Sequence, residues 1–93
     1  MSAISGQNAV AAAGTAEALG SQPIHGPLMI KALAANTSYM YVGNDGAGDV
    51  TSANGLELAA GEVIVFDHVS NLAEIIIDSA VNAEGVAWLM LNV

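Results

Sequence analysis

The chain has 93 residues, 54% of them hydrophobic, with nine carboxylates, one cation and no cysteine, so it holds at most one domain and no disulfide supports it. A formal charge of −8 with Lys31 as the only cation excludes a contact built on phosphate neutralisation, so no nucleic acid is expected as a partner. The longest apolar run, residues 86–91, is far short of the roughly 18 residues of a membrane-spanning helix, and no cation precedes Lys31 to open a secretory signal, so an unprocessed chain made in the cytoplasm with no membrane partner is expected.

Residues 1–20 differ from the rest, since eight of these twenty positions are Ala or Val. A short helix over 9–19 competes here with two extended pieces, 7–12 and 15–19, turning at Ala13-Gly14. Gly14 and Thr15 interrupt the helix, and Thr15 and Glu17 alternate with Ala16 and Ala18. The extended reading is preferred, with residues 1–6 as a mobile arm. This makes 1–20 an N-terminal arm or extended segment and 21–93 the β-sandwich domain.

Residues 20–27, with Ser21, Pro23, Gly26 and Pro27, form a breaker cluster and hence a crossover loop. Strands follow over 28–33, 39–42, 56–58 and 63–66, separated by Asn-Thr-Ser, Gly-rich and Ala-Ala-Gly-Glu connectors. Residues 50–53 are placed to pair briefly before Asn54-Gly55, a dipeptide suited to a two-residue hairpin. Residues 72–78 read as a strand because Ile75, Ile76 and Ile77 are β-branched in succession. Residues 86–93 form the longest and most apolar strand. The fold class is all-β: a small antiparallel sandwich or barrel, jelly-roll-like, of about seven to eight short strands.

Both faces of the last strand are apolar. Val86, Trp88 and Met90 point one way and Ala87, Leu89 and Leu91 the other. One set fills the core, and the second needs cover from another subunit or from the N-terminal segment. Residues 75–77 make the same demand. With a positive mean hydropathy and no disulfide, oligomerisation is the remaining source of buried area.

Candidate chemistry is sparse. Aligning Asp45-Gly46 on the fifth and sixth positions of a calcium loop puts Tyr41, Gly43 and Ser52 where ligands belong, so 44–49 reads as a plain turn. His25 and His68 lie 43 residues apart with no zinc-ligand spacing around them. Asp67, His68 and Ser70 supply the residue types of a hydrolase triad but no nucleophile elbow. Tyr39, Tyr41 and Trp88 compose a possible stacking platform, with core packing the simpler role for Trp88. Lys31 is a candidate for a specific ion pair. No catalytic, metal or cofactor site is assigned, and an enzyme is not expected.

The segments Ile30-Lys31-Ala32-Leu33, Asn36-Thr37, Tyr41-Val42-Gly43, residues 55–62 and Gly85-Val86-Ala87-Trp88-Leu89, preceded by Thr15-Ala16-Glu17-Ala18-Leu19-Gly20-Ser21, resemble the small structural proteins of tailed bacteriophages. The resemblance covers residue 6 to the end. It implies a virion component, foremost a capsid decoration or cement protein on the capsid surface, made in the host cytoplasm. Its implied partners are the major capsid protein and copies of itself in a homotrimer or homodimer. A tail, fibre or baseplate component and a small carbohydrate-binding sandwich are the alternatives. No functional residues carry over, because the shared pattern has no catalytic motif.

Overall fold

Residues 3–91 are described by a computed structural model, with side chains from Ile4 to Met90. Eight strands run in the order β1 (Ala3–Ala9), β2 (Glu17–Ala18), β3 (Leu28–Ala32), β4 (Met40–Gly43), β5 (Leu56–Leu58), β6 (Val63–Phe66), β7 (Ile76–Ser79) and β8 (Gly85–Leu91). They form two antiparallel sheets, a front sheet ordered β1-β8-β3-β6 and a back sheet ordered β2-β7-β4-β5. The pairs β1 with β8, β2 with β7, β3 with β6 and β4 with β5 are nested. The chain is therefore one long hairpin, tipped at β4–β5, whose successive strand pairs alternate between sheets. Closing contacts of β3 with β8 and of β4 with β7 complete the jelly roll.

The core follows from side-chain alternation. On β3, Leu28, Ile30 and Ala32 are buried while Met29 and Lys31 are exposed. The β3–β8 register pairs those three with Met90, Trp88 and Val86, which assigns these to the inner face. From the back sheet, Met40, Val42, Leu58 and Ile77 close the same cluster. Trp88 packs against its margin, over Gly6, where a Cβ would come within 2.8 Å of the indole.

Two bulges shape the strand ends. Ala32 N–H donates to Glu62 O and Gly61 N–H to Ala32 O, each at 2.9 Å, so Ala32 faces two residues. Gly61, at φ +84°, supplies the left-handed position that this bulge needs. Val10 repeats the pattern, donating to Glu84 O at 2.9 Å and accepting from Ala83 N–H at 2.8 Å. There the left-handed position belongs to Ala83, at φ 66°. At Gly85 no side chain fits, since a Cβ would lie 2.2 Å from Asn8 O.

The segment 1–20, read as an N-terminal arm or extended segment ahead of a 21–93 sandwich, supplies two extended strands, β1 and β2, one at an edge of each sheet. Several sequence expectations are corrected. Residues 3–6, expected in a mobile arm, pair along β8 from Ala3↔Leu91 to Gly6↔Trp88, because β8 would otherwise present an unpaired backbone edge. Residues 1, 2, 92 and 93, which fall in the expected arm and last strand, lie outside the described residues. Asn54-Gly55 is not a two-residue hairpin. Asn54 Oδ1 accepts from Thr51 N–H at 2.8 Å and Gly55 N–H donates to Thr51 O at 2.8 Å, which wraps residues 51–55 into a helical turn. The expected strand over 72–78 is split by a 3-10 turn at Leu72–Glu74 before β7. A capping box causes the split: Asn71 accepts from Ala73 N–H, and Glu74 accepts from Asn71 N–H.

Candidate functional surface

The residues considered for chemistry are scattered or occupied. His25 and His68 are exposed on different loops, and among the described residues no three His, Asp or Glu side chains gather as a metal site. Ser70 Oγ donates to Glu74 Oε1 at 2.9 Å, so its hydroxyl serves the capping turn. In the Gly-rich loop, Asp45 Oδ1 accepts from Ala47 N–H at 2.7 Å, and Asn44 Oδ1 accepts from Gly46 N–H at 2.8 Å. These side chains satisfy their own turn. Tyr39 is exposed beside a shallow groove of about 290 Å³, whereas Tyr41 is buried, so the two tyrosines do not share a platform.

Two carboxylates have well-developed hydrogen-bond shells. Glu84 is buried and accepts from Thr37 Oγ1 at 2.6 Å, from Thr37 N–H at 2.5 Å and from Ser38 N–H at 3.1 Å. The Thr37 hydroxyl, followed by the Thr37 backbone donor, lowers its pKa. Asn36 completes this clamp, donating Nδ2–H to Gly85 O at 2.9 Å and accepting from Gly85 N–H at 3.2 Å. Glu74 is lowered in the same way, first by the Ser70 hydroxyl and then by the Ser70 and Asn71 N–H groups. Both shells bind the protein's own backbone, which makes them structural.

The outer faces of the sheets are what differ. On the back sheet, Tyr41, Ile76 and Asp78 are buried although they face away from the core cluster. The protein's own loops reach this face. Val50 approaches the position that a Cβ on Gly43 would occupy to 3.4 Å, Gly55 packs against Tyr41, and Gly14 N–H donates to Asp78 Oδ1 at 3.0 Å. The demand of residues 75–77 for a covering subunit is thus met internally.

Among the described residues the front sheet has no such cover. Its register places Leu89 beside Met29 and Ser5, Met29 beside Val65, and Lys31 between Ala87 and Val63. Met29, Val63, Val65 and Leu89 are 42, 48, 55 and 38% exposed, so four large apolar side chains stand on one sheet face. Part of this face is an open groove of about 460 Å³ flanked by Gln7, Met29, Lys31 and Leu89. Lys31 finds no carboxylate among its cross-strand neighbours, Val63 and Ala87. Leu91, expected on this side of β8, has its side chain outside the described set.

Alternation identified both faces of β8 in advance, but the open face as a surface was not legible. Met29, Val63 and Val65 come from strands distant in sequence, and only the pairing β6-β3-β8 brings them beside Leu89. No protein-family model matches the sequence, and neither does any curated protein.

Proposed function

We propose that this protein is a structural component of a virus particle, a capsid decoration protein that packs against copies of itself and against the major capsid protein. The observation that carries the reading is the apolar front-sheet face of Met29, Val63, Val65 and Leu89, left open while the back sheet is covered by the chain's own loops. Burying such a face is favourable at about 25 cal/mol per Å² of apolar surface. Jelly rolls recur in virus shells and in lectins, and the architecture alone assigns no role. What favours the shell over a sugar site is the use of the polar side chains: those of Asn36, Thr37, Asn44 and Asp45 all spend hydrogen bonds on their own fold. The resemblance to phage structural proteins points the same way.

The test is mass spectrometry of purified particles from the virus that encodes the chain. A decoration protein appears at a fixed, high ratio to the major capsid protein, and a tail component is far scarcer. Absence from the particle refutes both.

A further inference from the structure

Each sheet ends in two edge strands, and these are not equivalent. On the back sheet β2 has two residues, and β5 has three with Glu57 at its centre. On the front sheet β1 mixes small and polar side chains, including Ser5, Gln7 and Asn8. β6 reads Val63-Ile64-Val65-Phe66, with no charge and no proline. Folded proteins rarely leave such an edge open, because its unpaired backbone groups template another strand.

The phase of the ladder says which groups are unpaired. Ala32 N–H bonds to Glu62 O, whereas Leu33 N–H bonds to Gly85 O at 3.1 Å, so even residues of β3 face β6 and odd ones face β8. With Leu28↔Phe66 and Ile30↔Ile64 as the hydrogen-bonded pairs, Met29↔Val65 and Lys31↔Val63 are the non-bonded ones. The N–H and C=O groups of Val63 and Val65 therefore point away from β3 into the open edge. No loop backbone or side chain among the described residues bonds to them. The same two residues carry the most exposed valines of the front face.

We propose that the β6 edge accepts an extended segment of a partner protein chain, in which apolar residues are flanked by Lys or Arg. Strand addition of this kind draws affinity from main-chain hydrogen bonds and specificity from side chains. Charge selects the occupant. Glu62 and Asp67 bracket β6 and both are exposed. Two copies of a chain of net charge −8 repel, and an antiparallel β6–β6 pair would gather the Glu62 and Asp67 residues of both copies at its two ends. A cationic flank at each end turns both contacts favourable. The inference goes beyond the virion reading and does not depend on it, since the edge is tested on the isolated protein and the shell role on particles.

The experiment is an amide NMR titration with two blocked peptides, Lys-Thr-Val-Thr-Val-Lys and Glu-Thr-Val-Thr-Val-Glu. The basic peptide is expected to shift residues 62–67 and to slow exchange of the Val63 and Val65 amides, with the acidic one at least about tenfold weaker. Val65→Pro removes an N–H that the native ladder does not use and abolishes the effect. Val65→Lys, which keeps that N–H and the fold, weakens the basic peptide by about tenfold through like charge. Equal binding of the two peptides, shifts centred away from 62–67, or no shift at roughly millimolar peptide overturns the proposal. So does concentration-dependent protection of Val63 and Val65 without peptide, which would mean self-pairing.

Discussion

Ala83 holds a backbone conformation that only glycine adopts without strain, and among the described residues it is the one non-glycine with positive φ. Its counterpart in the other bulge is Gly61. A left-handed alanine costs roughly 1–2 kcal/mol, partly offset by the extra freedom that glycine has when unfolded. Ala83→Gly is therefore expected to stabilise the protein by about 0.5–1 kcal/mol in urea unfolding. Gly85→Ala has the opposite effect, because its Cβ would meet Asn8 O at 2.2 Å across the β1–β8 ladder. A loss of about 3 kcal/mol or more is expected from the same measurement.

Glu84 sets a pH dependence at this scale. Its pKa is lower folded than unfolded, so its contribution is complete above the ordinary glutamate value of roughly 4.3 and is lost as pH falls through the lower folded value. Thermal unfolding followed from about pH 7 to about pH 3 should therefore show a steeper acid loss for the native protein than for Glu84→Gln. Asn36-Thr37 and Gly85 are visible in the sequence as turn residues. Their clamp on one another is not, because it joins positions 49 residues apart.

At the scale of elements, alternation and the turn residues between short apolar runs were a sound guide. β5 and β6 have the bounds read from the sequence, Leu56–Leu58 and Val63–Phe66. They failed where local hydrogen bonding competes with the strand, as at Asn71 and Glu74, whose capping box bends the chain before β7. On β8, alternation separated two faces without saying which is inside; pairing with the buried residues of β3 decides it. Met90→Glu buries a charge in the core and is expected to unfold the protein, at a cost above about 4 kcal/mol. Leu89→Glu leaves urea stability of the domain within about 1 kcal/mol and dissociates any assembly formed through the front face. Light scattering with circular dichroism distinguishes the two, and an assembly unchanged by Leu89→Glu argues against that face as the interface.

For the whole molecule, the nested pairing of β1 with β8 and β2 with β7 means that both ends of the chain complete the sandwich. A chain beginning at residue 21 loses an edge strand from each sheet, and with it Val10 and Leu19 from the core. It is expected to lack a cooperative unfolding transition by circular dichroism, where a free-standing 21–93 domain would keep one.

The sequence by itself determined the all-β class and most strand positions, because these depend on local alternation and turn residues. Only the tertiary structure decided that residues 3–9 and 17–18 are sheet strands, that the back sheet covers itself, and that among the described residues nothing covers the front sheet or the β6 edge. Those outcomes depend on which distant strands become neighbours, and in a jelly roll each such pair is separated by everything nested inside it.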